Sequence, residues 1–345
     1  MSTYSEKPIL AITMGDPAGT GPEILSKALH EPRVREACRP IVVGNARVML
    51  EAYQITGVPG RVKAIDDMRT AEFREGVVEV FDLNNVDIDT LQRGQVSVQA
   101  GQAAYDYIKT ATELSLNGTV DALVTSAINK ESLNKAGHHY SGHTELLAEL
   151  CGNPSVAMML VAQKLRVIHV STHISLREAL ERVRPKRILE VLRLAQQGLI
   201  ELGIPNPQLA VAGLNPHAGE GGLFGDDEAR YVSPAISEAR NEGIAATGPY
   251  PPDTIFFRAA QGAFDGVIAL YHDQGHIAAK MLGIWLGVNV TLGLPIIRTS
   301  VEHGTNFEMA GKGTSDPRSM IEAINLAAIM AVRRKRTPPK VDASP

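Results

Sequence analysis

The stretch Ile9-Leu10-Ala11-Ile12-Thr13-Met14-Gly15-Asp16-Pro17-Ala18-Gly19-Thr20-Gly21-Pro22-Glu23 decides how the chain is read. Its first five residues form an apolar, partly β-branched run of the length of a buried strand. A glycine-rich loop follows, and Pro22 stands where the first turn of a helix accepts proline. A buried strand feeding a helix through a short loop is the repeating unit of an α/β fold. The same alternation predicts further strands at 40–44, 77–83, 121–125, 156–160, 166–170, 208–214, 266–271 and 288–292. It predicts helices over 46–55, 97–116, 184–202, 228–242 and 317–334, the last capped by Ser315 or Asp316. Strands alternating with helices imply a mostly parallel sheet layered with helices.

Composition narrows the class. A length of 345 residues exceeds one comfortable core, so two lobes are expected. With 44% hydrophobic and 21% charged residues, disorder and coiled coil are excluded as descriptions of the whole. The net charge of -4 argues against a general nucleic-acid binder. Cys38 and Cys151 are too few to staple a chain of this size. The start lacks a signal-peptide pattern and no apolar run is long enough to span a bilayer, so a cytoplasmic protein without membrane contact is expected. There is no internal repeat. Arg333, Arg334, Lys335 and Arg336 read as cations closing a helix, and 336–345 as a flexible tail.

The polar residues gather in loops that follow strands, where open α/β sheets place their ligands. The loop 14–23 is either a backbone cradle for a phosphate or cofactor or a tight structural turn; it fits neither G-x-G-x-x-G nor Walker A. In Ser141-Gly142-His143-Thr144-Glu145, Ser141 or Thr144 can cap a helix, or His143 and Thr144 can donate to an anion. His173, His217 and His272 each stand just past the end of an expected strand. If those strands are parallel, three imidazoles share one rim and suit a divalent transition metal; otherwise each is a separate loop histidine. Histidines 30, 138, 139 and 169 carry no comparable signal. Lys280, Asn289 and Arg298 flank the strand 288–292 and suit a phosphate or carboxylate, although Lys280 also reads as a solvated surface residue. Asp253 reads as a helix cap or as an acid near the site. The segment from His303 to Gly313 reads only as a glycine-broken loop.

Taken together, these motifs resemble the 4-hydroxythreonine-4-phosphate dehydrogenase (PdxA-type) family. Segments 14–23, 141–145, 215–222, 271–275 and 287–304 match in order, over roughly 9–332 of the chain. The resemblance implies two α/β/α lobes around a cleft, as in isocitrate and isopropylmalate dehydrogenases. It implies a discontinuous first lobe of 1–130 plus 300–335 and a second lobe of 131–299 that carries metal, substrate and dimer residues. His303, Gly304, Thr305 and Gly311 would then belong to an NAD loop. His173, His217 and His272 would be the ligands of a divalent ion, with zinc or cobalt preferred over magnesium by three imidazoles. The metal site would be shared between the subunits of a homodimer. His143, Thr144, Lys280, Asn289 and Arg298 match substrate positions, and Lys280 or Asp253 would be the base. Glu302 and Asn306 replace the family's commoner Asp and Ala, which leaves NADP open beside NAD.

The implied reaction is oxidation at C3 of a four-carbon 4-phosphorylated hydroxy acid, followed by loss of CO2. Met159-Leu160-Val161-Ala162, His169-Val170-Ser171-Thr172-His173, His276 and 307–313 resemble the branch acting on D-threonate or D-erythronate 4-phosphate, whose substrates carry a 2-hydroxyl. The alternative branch makes pyridoxal phosphate from 4-phosphohydroxy-L-threonine. Alternatives of other classes are a phosphate acyltransferase-like enzyme and a metabolite-binding protein.

Overall fold

In a computed structural model of the chain, residues 7–283 and 287–336 are described. The expected tail 336–345 lies outside them, apart from the backbone of its first residue. The chain divides into two compact units, Met1–Pro154 with Leu294–Pro345, and Ser155–Gly293. The joins therefore fall at 154/155 and 293/294, where the sequence reading has 130/131 and 299/300.

The first unit opens with β1 (Ile9–Thr13), α1 (Gly21–Ala28), α2 (Pro32–Ala37), β2 (Arg39–Gly44), α3 (Ala46–Thr56), β3 (Arg61–Ile65) and β4 (Val77–Asp82). It continues through α4 (Val98–Leu116), β5 (Ala122–Thr125), α5 (Lys130–Lys135) and α6 (His143–Leu150). The second unit holds β6 (Ala157–Ala162), β7 (Leu165–His169), α7 (Leu176–Arg182), α8 (Pro185–Glu201), β8 (Leu209–Ala212) and α9 (Ser233–Asn241). β9 (Ala246–Tyr250), α10 (Pro252–Ala260), β10 (Gly266–Ala269), α11 (His272–Met281) and β11 (Val288–Leu292) complete it. The chain then returns to the first unit with β12 (Arg298–Val301) and α12 (Arg318–Arg336). Asp316 caps the start of α12 by accepting the Arg318 N–H at 2.9 Å.

In the first unit the strand order is β3-β4-β2-β1-β5-β12, and its pairings are parallel. Every residue of β5 and β12 is buried, as a parallel sheet covered on both faces requires. α4 packs on β1, β2 and β5, and α12 on β5, β12 and β1. α5 packs on α4, which is why residues after 130 belong to this unit. In the second unit the order is β11-β6-β7-β10-β8-β9. β6 is antiparallel to both β11 and β7, whereas β7, β10, β8 and β9 are mutually parallel. The expected helix 228–242 divides into one wide turn, Glu228–Val232, and α9.

The opening loop proves to be a buttress. Its amides are used within the protein: Asp16 N–H donates to the Ala127 carbonyl, Gly19 N–H to the Asp16 carbonyl and Thr20 N–H to the Thr305 carbonyl, each at 3.0 Å. Ala18 N–H donates to Asp16 Oδ1 at 2.8 Å. The structural-turn reading therefore holds for these four amides, and a phosphate cradle does not. Gly19 packs closely on the same segment, since a Cβ there would fall 3.0 Å from the Thr305 carbonyl oxygen. Glu23, fully buried in the first turn of α1, accepts Gly311 N–H at 2.5 Å and Gly313 N–H at 2.7 Å. One carboxylate thus pins the loop after β12 to the helix that follows β1. Replacing Glu23 by Ala leaves two amides without their acceptor, and we expect a loss of about 2–4 kcal/mol. Urea unfolding checks this; a variant within 0.5 kcal/mol of the parent contradicts the assignment, by the size of ordinary surface changes of about ±0.5 kcal/mol.

Candidate functional site

β7, β10 and β8 are parallel neighbours, so the loops leaving them emerge along one edge of the second unit. His173 follows β7, His272 opens α11 after β10, and His217 follows β8. The ring centroids of His173 and His272 are 5.7 Å apart, with planes inclined at 47°. His217 lies instead 6.0 Å from the Phe224 ring. Among the described residues no three His, Cys, Asp or Glu side chains are grouped as one ion needs. The structure thus brings two of the three expected imidazoles together and leaves the third in its own loop. Their chemistry still suits a metal. His272 Nδ1 is 2.7 Å from Asp273 Oδ1, and a carboxylate that accepts from Nδ1–H leaves Nε2 bare for coordination.

The loop carrying His217 has an unusual backbone. Residues 217–221 all have positive φ, with His217 at 52°, Ala218 at 55° and Glu220 at 44°. Buried Glu228 holds the loop's entrance, accepting Leu214 N–H at 2.8 Å and Asn215 N–H at 2.7 Å.

α11 places His272, His276 and Lys280 at intervals of four, hence on one face. His276 stacks on His272 with centroids 3.7 Å apart and planes at 15°. Its Nδ1 is 3.2 Å from Nε2 of buried His169. Burial, then the neighbouring imidazole of His276, pushes the pKa of His169 down to about 3. Burial, then His272, pushes His276 down to about 4, so both rings are neutral. Lys280 is exposed, as the solvated reading allowed. Asp253 is also exposed and sits inside the first turn of α10, whose cap position is held by Pro251; the capping reading is corrected. With Phe256, Tyr271, Asp273 and Ile277 it lines a cavity of about 580 Å³ between α10 and α11. Asn289 lies on β11 with its Oδ1 buried and unbonded among the described residues.

Arg298, by contrast, belongs to the first unit, where it starts β12 and is 2% exposed. It donates to Thr125 Oγ1 from Nε at 3.2 Å and from Nη2 at 2.7 Å. Burial pulls its pKa down to about 9 while Glu145 opposes, so the guanidinium remains charged at neutral pH. His143 opens α6 and is held well below the ordinary histidine range by burial, then by Arg298 and Lys130. Its Nε2 is buried without a partner among the described residues. Neither Ser141 nor Thr144 caps α6: the cap is Gly142, with no side-chain bond to the first-turn amides. The first unit therefore gathers a buried cation, a neutral imidazole and uncapped amides, a combination suited to an anionic group. His303 Nδ1 is 3.0 Å from the Gly304 carbonyl, and its Nε2 is buried and unbonded among the described residues. Gly304 has open space where a Cβ would be, Thr305 accepts from Thr20, and Gly311 is tied to Glu23. Asn306 takes a left-handed backbone, φ 48°, which asparagine tolerates better than alanine does.

The family described as Pyridoxal phosphate biosynthetic protein PdxA matches residues 36–327. The chain belongs to the PdxA family. It is 46% identical over 335 residues to D-threonate 4-phosphate dehydrogenase of Cupriavidus necator, covering 97% of this chain and 100% of that one. It is 48% identical over 325 residues to 4-hydroxythreonine-4-phosphate dehydrogenase of Geobacter metallireducens, covering 94% and 96%. Among solved structures, 4-hydroxythreonine-4-phosphate dehydrogenase from Klebsiella pneumoniae superposes with a TM-score of 0.86 at 45% identity, covering 94% of this chain and 99% of that one. PdxA-family membership thus rests on nearly the whole chain, and the relatives are named dehydrogenases.

Within this PdxA-family chain, sequence reasoning passed over Glu23, Thr125, His169 and Glu228. Each is a polar residue within or beside an apolar element, a pattern that signals a buried hydrogen-bond network without naming its partner. Asp16 is another. It is 1% exposed, and burial raises its pKa to about 6 against the Ala18 N–H and Ser132, which lower it. The folded state then binds this proton more tightly than the unfolded chain, where the carboxyl titrates near 3.8. Its ionisation costs stability as pH rises from about 4 to about 6, by about 3 kcal/mol in all. Asp16→Asn keeps the acceptor for Ala18 and removes the charge. We expect its stability relative to the parent to rise across that window and then level off. Denaturation at a series of pH values measures the difference; a pH-independent difference contradicts the burial argument.

Proposed function

We propose that the protein is an NAD-dependent dehydrogenase that oxidises C3 of a four-carbon 4-phosphorylated hydroxy acid and releases CO2, with D-threonate 4-phosphate preferred. The supporting observation is the pair His173 and His272, whose rings lie 5.7 Å apart on loops from adjacent parallel strands in a PdxA-family chain. In this reading His173, His217 and His272 hold a divalent ion, zinc or cobalt before magnesium on ligand softness, at a site shared in a homodimer. When bound, the ion supplies electron withdrawal at the C3 oxygen, before and after oxidation. The loop with His303, Gly304, Thr305 and Gly311 would hold NAD, which would supply the hydride acceptor for C3. A reaction in the cytoplasm fits two unpaired cysteines, Cys38 and Cys151.

The chain's own residues bind and orient. Arg298, His143, Thr144 and the first-turn amides of α6 hold one anionic end of the substrate. Asn289 offers an amide to a hydroxyl or phosphate oxygen. Lys280, on the His272 face of α11, or Asp253, beside Tyr271, takes the proton of the C3 hydroxyl. Holding both charged ends leaves C3 as the one carbon presented to the cofactor. The product is a β-keto acid, whose carboxylate departs because the ketone can accept the electrons.

Purified protein with NAD and a divalent ion is assayed for NADH on D-threonate 4-phosphate, D-erythronate 4-phosphate and 4-phosphohydroxy-L-threonine. We expect the highest kcat/KM on the first; no NADH from any of the three overturns the reading. Arg298→Ala removes a charged bidentate donor, so KM should rise roughly 10- to 100-fold with a smaller change in kcat. An unchanged KM removes Arg298 from the substrate site. His272→Ala should lower turnover and divalent-ion affinity together, the latter read by competition with a chromogenic chelator.

A further inference from the structure

His276 and His169 have no part in the reaction as described, yet hydrogen bonding fixes both rings. His169 Nδ1 is 3.4 Å from the Met158 carbonyl oxygen. A carbonyl only accepts, so Nδ1 carries the hydrogen and Nε2 of the neutral ring is bare. A bare nitrogen also only accepts. The hydrogen in the 3.2 Å contact between His169 Nε2 and His276 Nδ1 therefore belongs to His276. The same hydrogen lies toward the His272 carbonyl, 3.2 Å from Nδ1. It follows that His276 Nε2 is a bare lone pair, and it makes no hydrogen bond among the described residues. Gly275 is what allows the chain to form: a Cβ there would fall 2.4 Å from His169 Nε2 and 2.6 Å from the Val167 side chain.

His272 follows the same rule, because its Nδ1 faces a carboxylate at 2.7 Å and its Nε2 is left bare. Two rings stacked with centroids 3.7 Å apart and nearly parallel thus each hold a bare Nε2. His276 keeps 9% of its surface exposed, enough for an edge contact with a ligand.

We propose that His276 Nε2 accepts the hydrogen of the substrate's C2 hydroxyl, beside the ion that His272 would hold at the C3 oxygen, so that the site selects a 2,3-dihydroxy acid. His169 is the positioning residue that fixes the His276 tautomer. The choice of substrate rests on the dehydrogenase reading above; the tautomer lock does not.

Two measurements test this. In the wild-type protein, ¹⁵N-edited NMR of the imidazoles should find hydrogen on Nδ1 of both His169 and His276; hydrogen on Nε2 of either ring overturns the lock. D-threonate 4-phosphate and its 2-deoxy analogue are then compared by kcat/KM and, by calorimetry, as Kd. The wild type should favour the 2-hydroxy compound roughly 100-fold, since a site built around a substrate hydroxyl rejects the analogue lacking it. His276→Asn keeps a donor for His169 and discards the outer acceptor, so the preference should fall below about 3-fold through loss of that one contact. A wild type that binds both compounds equally, or a His276→Asn variant that retains the preference, overturns the contact. Absence of NADH from both compounds would count against the dehydrogenase reading, while calorimetry and the imidazole spectra still decide this one.

Discussion

The parallel pairing of β7, β10 and β8 is the constraint on which the second unit's chemistry depends. Parallel neighbours send their following loops out at one edge of the sheet, whatever those loops contain. The three histidines are far apart in sequence, and only this shared direction gives them a common rim. Antiparallel β6 sits beside β7 without disturbing it, because its side chains supply core while the Met158 carbonyl anchors His169. The edge is therefore set by backbone hydrogen bonding, and the imidazole orientations are set afterwards by their acceptors: Asp273 for His272, Met158 for His169, and His169 with the His272 carbonyl for His276.

The first unit solves a different problem, that of keeping a glycine-broken loop in place. The segment after β12 has few apolar side chains to pack, so polar contacts hold it. Glu23 takes two of its amides and Thr20 contacts the Thr305 carbonyl through both N–H and Oγ1. The glycine-rich opening loop spends its amides on this internal work. Positive charge is supplied elsewhere, by buried Arg298 beside His143 and the uncapped start of α6. A chain of net charge -4 can in this way present a local cationic site, since a guanidinium out of water is screened far less than surface carboxylates are.

Much of the fold was legible because buried parallel strands are nearly continuous apolar runs. The runs at β1, β5 and β10 announce themselves, and their positions lie within a residue or two of those read from sequence. β3, β9 and β12 were not legible. β3 has only one buried residue, Ile65, so its pattern is weak. β9 is interrupted by glycine and proline. β12 is Arg298-Thr299-Ser300-Val301, three polar residues of four, and it is wholly buried because Thr125 and the Ala323 carbonyl take up its polar atoms. Periodicity cannot reveal a strand whose burial is earned by hydrogen bonds made across the fold. The site shows the same division. His173, His272 and Arg298 stood out by position, whereas Glu23 is defined by partners more than a hundred residues away, and His169 by one such partner, His276, together with the Met158 carbonyl on the neighbouring strand. Asp253 misled as a cap because Pro251 supplies the extended backbone that ends the turn.

The loop from Pro216 to Gly222 shows how far the fold goes to place one histidine. For residues other than glycine, left-handed backbone costs roughly 1–2 kcal/mol each, and His217, Ala218 and Glu220 all adopt it. Two charge-assisted bonds from Glu228 to the amides of Leu214 and Asn215 offset much of that cost, at roughly 1.5–3 kcal/mol each. Asn215 Nδ2 adds bonds to Asp227 and Glu228. The carboxylate grips only the entrance, so the histidine itself stands on the strained part of the turn.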